Sequence, residues 1–272
     1  MKSYVKYFLC AIIGGAFCCL FFITTHNTIS FSYVILKFGF TEFDINIASL
    51  MYLFQWYFPL IMFQIFFGTY IYRHFCCASV YYFSRCNNRV SWFLKEAALL
   101  YPIAVIYIVI MISSGTIISS ITNHLYFDKT SFILFGYYLI IHSLWLFLTT
   151  LLINVLAIKI SSSNSFLVVG GIQMFFMALF GSWENKLDFT ILEKKDHFAS
   201  ILKLNPLSHL VLKWHSSTLE SVNKQINCFD IKFDLNWSIL LFFVLSIFVI
   251  ALGCLIVKRQ DMIDINKETG GI

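Results

Sequence analysis

The sequence predicts an all-α, polytopic membrane protein with six transmembrane helices, and three observations predict it. Of 272 residues, 59% are hydrophobic and 12% are charged. Six apolar windows of spanning length are free of Asp, Glu, Lys and Arg, apart from Lys6 at the edge of the first, and charge gathers between them. A hydrocarbon core of ~30 Å is crossed by ~20 helical residues, which gives spans near 5–24, 47–72, 97–121, 132–158, 165–182 and 237–257. Closed β-barrels also satisfy their amides in lipid, but their short strands alternate in polarity, whereas these runs are apolar all round.

The first run follows Lys2 and Lys6 and resembles a signal peptide. It has no clear small-x-small cleavage site and precedes five more spans, so it reads as an uncleaved first helix. Ala11 and Gly15 give it a small surface for close helix approach, as Gly170 and Gly171 do for the fifth span. The second span carries Gln55 and Gln64, the fourth His142 and Asn154, and the fifth Gln173. Each is costly in lipid unless it faces protein or a cavity. They read either as interhelical hydrogen-bonding groups or as the lining of a substrate path.

The connection from Arg73 to Glu96 mixes Tyr81, Tyr82, Phe83, Trp92 and Phe93 with Arg85, Arg89 and Lys95. That is the pattern of a short helix lying at the interface or docking into a protein groove. The loop of about 183–236 holds a second pattern. Asn205 and Pro206 fit an N-cap followed by proline at the first helical position, and Leu207, Leu210, Val211 and Trp214 recur at helical spacing. An amphipathic helix is expected there, preceded by a shorter one with Phe198, Ile201 and Leu202. The pair would cover the mouth of the bundle or lie on the membrane surface.

Lysine and arginine orient the chain. Lys2, Lys6, Arg73, Arg85, Arg89, Lys95, Lys159, Lys258, Arg259 and Lys267 fall on one side, with all four arginines, against Lys37 and Lys129 in the opposite short loops. Both termini are therefore expected in the cytoplasm. The seven lysines of the long loop weigh little, because long loops translocate with little regard to charge. The net charge of +5 is read as orientation toward anionic lipid, and nucleic-acid binding is not invoked. Of eight cysteines only Cys228 is expected to face outward, which leaves no disulfide framework.

Several chemistries lack their residues. No G-x-x-x-x-G-K-[ST] loop is present, so the chain is not expected to hydrolyse ATP. No H-E-x-x-H or G-x-S-x-G supports an intramembrane hydrolase, and neither catalytic residues nor a metal site are expected. His209 and His215, six apart, would not share a helical face. His142 is the one candidate for a proton relay, and it has no acidic partner within a span.

The arrangement resembles an ABC-2 type transporter permease subunit, the membrane half of a bacterial ABC exporter. The resemblance rests on six spans, cytoplasmic termini, a very short second cytoplasmic loop, the large fifth-to-sixth connection, and the NPLSHLV stretch from Asn205 to Val211, which is similar to an N-P-L element of that family. It implies a permease domain over 1–258, a cytoplasmic tail over 259–272, and a place in the bacterial plasma membrane. It also implies a separate ATPase subunit that binds ATP and magnesium, and pairing with a copy of the chain or a sister permease. Arg85, Asn87, Arg89, Trp92 and Lys95 would receive the ATPase stroke, and Asn205, Pro206 and Leu207 would form an outer gate. Gln55, Gln64, His142, Asn154 and Gln173 are the candidate substrate path. The expected substrate is amphipathic: a hydrophobic peptide or antimicrobial, a drug, or a lipid-like molecule. The alternative is a non-transporting membrane immunity or scaffold protein.

Overall fold

A lipid-embedded segment must satisfy its own backbone amides, and a run that is apolar on every side does so as a helix. The computed structural model describes residues 2–19, 28–39, 47–79, 88–184, 200–227 and 230–259. Its elements are α1 (Lys2–Cys19), β1 (Thr28–Ser30), α2 (Phe31–Lys37), α3 (Ile47–Phe67), α4 (Tyr70–Ser79), α5 (Arg89–Thr122), β2 (His124–Tyr126), α6 (Lys129–Ile160) and α7 (Ser162–Glu184). Two 3-10 turns follow at Ser208–Leu210 and Leu212–Trp214, then α8 (Glu220–Ile226) and α9 (Leu235–Arg259).

Among the described residues, five helices are long and apolar enough to cross a membrane: Met51–Cys76, Arg89–Thr122, Lys129–Ile160, Ser162–Leu179 and Leu235–Arg259. The chain is therefore a mostly helical, polytopic membrane protein. Of the expected first span, the described part is α1, apolar over Phe8–Cys19; residues 20–24 lie outside the described residues. Several helices outrun the hydropathic windows. The 34 residues of α5 extend ~51 Å at ~1.5 Å per residue, so hydropathy marks the hydrocarbon portion and not the helix ends.

The axis of the bundle is α6, which packs against α3, α5, α7 and α9. From Ile141 to Leu151 every residue is buried, as expected of a helix surrounded on all sides. The small surface of α1 is used as expected. Ala11 is buried, and at Gly15 a Cβ would collide with the Met111 carbonyl and the Ser114 hydroxyl of α5. Gly170 and Gly171 are not used this way, since a Cβ on either would meet nothing within 4 Å. The very short second connection is a single residue, Ser161 at φ 84°, between α6 and α7.

The fold is all-α but for one short addition, a two-stranded parallel ribbon with Thr28 opposite His124, Ile29 opposite Leu125 and Ser30 opposite Tyr126, and two expectations require correction. The ribbon leads into α2, capped by Ser30, which buries Phe31, Val34 and Ile35. The second span is not one helix, because it breaks at Gly68–Thr69 between α3 and α4. The interfacial helix expected near Arg85–Lys95 has no separate existence over its described part. Asn88 caps α5 by accepting from the Ser91 amide at 3.2 Å, and Arg89, Trp92 and Lys95 lie in the first two turns of that long helix.

The break at Gly68 would strand backbone groups in an apolar interior, and fully buried Asn154 of α6 takes them up. Its Nδ2 donates to the Phe67 carbonyl, at the end of α3, at 2.8 Å and to the Thr150 carbonyl at 2.8 Å. Its Oδ1 accepts from the first-turn amides of α4, Ile71 at 2.8 Å and Tyr72 at 3.2 Å. Asn154→Ala removes the hydrogen bonds that this side chain makes to the Phe67 carbonyl and to the Ile71 and Tyr72 amides, at about 1–3 kcal/mol each. Unfolding of the purified protein in a fixed detergent is expected to show a loss of about 3 kcal/mol or more. Asn164→Ala, at an exposed site, is expected to stay within about 0.5 kcal/mol.

Candidate functional site

Two features stand out, a side-opening apolar cavity bordered by two glutamines and a buried polar cluster where the 200–216 segment meets α9. The cavity, about 150 Å³, lies between α3, α6 and α7 and is lined by Ile61, Gln64, Ile65, Ile153, Phe166, Gly170, Gln173 and Met174. Exposed Ile65 and Met174 flank its opening, and the absence of a side chain on Gly170 widens it. An apolar cavity of about this size accepts a benzene-sized group.

Two of the five residues expected on a substrate path meet here. Gln64 Nε2 donates to Thr149 Oγ1 at 3.0 Å, and Thr149 Oγ1 donates to the Trp145 carbonyl. Gln173 Oε1 accepts from the Tyr57 hydroxyl at 2.8 Å. Its Nε2 is buried and has no partner among the described residues, so this amide retains two donors beside the cavity.

The other three bond elsewhere, with His142 Nε2 left without a partner among the described residues. Asn154 holds the break described above. Gln55 Nε2 donates to the carbonyls of Phe17 and Cys18, at 2.7 and 2.5 Å, at the end of α1. The reverse contact explains the pairing. Pro59 supplies no amide hydrogen for the carbonyl four residues earlier, and the Cys18 thiol donates to that freed Gln55 carbonyl at 3.4 Å. His142 stacks on Tyr138, with ring centroids 3.7 Å apart, and its Nδ1 donates to the Tyr138 carbonyl at 3.0 Å.

The outer-gate residues are embedded and not draped over a mouth. Asn205 Nδ2 donates to the Phe176 carbonyl of α7 at 2.9 Å, and Oδ1 accepts from the Leu207 amide at 2.9 Å. The expected amphipathic helix is replaced by the two 3-10 turns, separated by extended Val211 at φ −89°, ψ 94°. Leu207, Leu210, Val211 and Trp214 are all fully buried. A three-residue turn repeated across one extended residue yields the same 3, 1, 3 spacing as an α-helical face, which is why periodicity alone misassigned it. Phe198 lies outside the described residues, as do Arg85 and Asn87 of the coupling set.

The extended residue also brings together two histidines that one helix would have separated. Their rings lie 6.4 Å apart, His215 stacks on Phe233 at 4.1 Å, and both rings reach Ser238 of α9. Ser238 carried no sequence signal, as one hydroxyl in an apolar run. A further pair went unmarked at the opposite end of the bundle, where His74 of α4 meets Glu96 of α5 at 3.4 Å. Comparison with known proteins found no matching family model, curated protein or solved structure.

Burial holds His209 down to about 4, and burial, then the neighbouring His209, holds His215 down to about 3. Both rings bind protons more readily in the unfolded chain, where histidine titrates near 6.5. Their contribution to stability is therefore complete above about pH 6.5 and declines as pH falls toward 4 and then 3. Thermal unfolding of the purified protein from pH 8 to pH 3.5 is expected to show a midpoint that is level at first and falls through that acid window.

Proposed function

We propose that this chain is the membrane-spanning subunit of an ATP-driven exporter of the ABC-2 permease type. It moves an amphipathic substrate, such as a hydrophobic peptide, a drug or a lipid-like molecule, with energy from a separate ATPase subunit. The observation that supports this best is the side-opening cavity, where apolar walls meet the free donors of Gln173. Such a site suits a molecule that is mostly apolar and carries a hydrogen-bond acceptor, and it offers nothing to a bare ion. In this reading six spans enclose the path, a second copy or a sister permease faces the cavity, and the assembly lies in the bacterial plasma membrane with the termini in the cytoplasm. Arg85, Asn87, Arg89, Trp92 and Lys95 receive the ATPase subunit. The helix from Arg89 to Thr122, which holds Pro102 in its interior, carries its movement across the membrane in this reading.

A second reading, an immunity or scaffold protein that binds its target within the bilayer, is favoured by the structural engagement of Gln55, Gln64 and Asn154. Purification from native membranes in mild detergent separates the two. A transporter is expected to copurify with a stoichiometric ATP-hydrolysing subunit that is lost on combined Arg85→Glu and Arg89→Glu substitution. Recovery without any ATPase would favour the second reading. In the transporting case, Gln173→Leu is expected to reduce export about five- to tenfold, the worth of about one hydrogen bond, with ATPase association unchanged.

A further inference from the structure

Of the polar groups this protein buries, the cluster at Ser238 is short of one proton. His209 Nε2 lies 3.0 Å from the Lys203 carbonyl oxygen, and His215 Nδ1 lies 2.9 Å from the Val211 carbonyl oxygen. A carbonyl only accepts, so each of these nitrogens carries hydrogen. Each neutral ring then turns its bare nitrogen toward one atom, Ser238 Oγ: His209 Nδ1 at 2.8 Å and His215 Nε2 at 2.7 Å. The hydroxyl has a single hydrogen and satisfies one of them. The other nitrogen is left facing an oxygen lone pair, and all three side chains are fully buried.

One added proton completes the chain. With His209 as the cation, its Nε2–H donates to the Lys203 carbonyl, its Nδ1–H donates to Ser238 Oγ, and the serine hydrogen passes to His215 Nε2. His215 Nδ1–H then closes on the Val211 carbonyl. A second proton undoes this arrangement: both rings donate to Oγ, the serine hydrogen loses its acceptor, and two cations stand side by side in a low-dielectric site.

We propose that His209, Ser238 and His215 form a one-proton binding site where the 203–216 segment meets the first turn of α9. Burial opposes the charge, and His142 of α6 adds to that opposition at His215. The charged groups on the adjoining elements are Lys203 and Lys213 on the segment itself, Glu220 and Lys224 on α8, and Asp230, Lys232 and Asp234 ahead of α9, with Lys129 and Lys159 near the ends of α6 and Lys258 and Arg259 at the far end of α9. Glu220 pairs with Lys224, Asp234 accepts from the Asn236 amide, and both Asp230 and Asp234 are exposed. The serine hydroxyl accepts from the charged ring and so raises the affinity for the proton relative to a cluster that lacks it, and its single hydrogen limits the count to one.

The test is ¹⁵N-histidine spectroscopy of the full chain in lipid nanodiscs between pH 8 and pH 3.5, with the rings assigned by single substitution. The wild type is expected to convert one ring of the pair to imidazolium while the other stays neutral and protonated at Nδ1. Ser238→Ala is expected to move that step acidward by about one pH unit, a tenfold loss of proton affinity, and Ser238→Thr, which keeps the hydroxyl, to restore it. The proposal is overturned if both wild-type rings charge in one step or both stay neutral to pH 3.5. It also fails if Ser238→Ala titrates as the wild type does. The wild-type spectrum decides by itself should the alanine variant not fold.

Discussion

Inside hydrocarbon, a backbone group that leaves its helix has no water to turn to, and Asn154 is where this protein answers that constraint. One side chain accepts from two amides of α4 and donates to the last carbonyl of α3, so the chain can turn within the bundle without stranding polar atoms. It does so from α6, the most enclosed helix. Because α6 is buried on every side along its middle, whatever is anchored to it is anchored to the whole bundle. The break in the second span is thus tied directly to the core of the bundle.

The same economy runs along the inner faces of α1, α3, α6 and α7. Gln55 and Cys18 exchange contacts across α1 and α3 at a place where Pro59 frees a carbonyl. Gln64 meets Thr149, and Tyr57 meets Gln173. These neutral groups join helices where lipid provides no hydrophobic drive for their association. Among the described residues, the Gln173 nitrogen has no partner, and it lies beside the side-opening cavity that Gly170 helps to line. The coincidence of an unmet donor and an open apolar space is what distinguishes a surface for a ligand from ordinary interhelical bonding.

At the buried histidine cluster the chain returns into the bundle from outside the spans. The 203–216 segment reaches Ser238 in the first turn of α9, and its His215 lies within electrostatic reach of His142, which stands thirteen residues beyond the start of α6, or ~20 Å along it. Asn205 ties the same segment to α7, the helix that carries Gln173. A change in how this segment is held would therefore act on α7 and α9 together.

Composition and spacing determined that the chain is helical, that it crosses a membrane several times, and roughly where. Those properties follow from runs of twenty or so residues, and any fold must respect them in lipid. The polar positions that matter, Gln55, Gln64, Asn154 and Gln173, were also legible, because each is an exception within an apolar run. Which of them are engaged and which is free was decided by tertiary structure alone, since partners such as Gln173 and Tyr57 stand 116 residues apart. The Asn205–Trp214 stretch marks the limit from the other side: two 3-10 turns and an α-helix share one hydrophobic spacing, and only the packing of Val211 tells them apart. That same extended residue brings His209 and His215 onto one serine, a meeting that depends on backbone geometry that no residue count records.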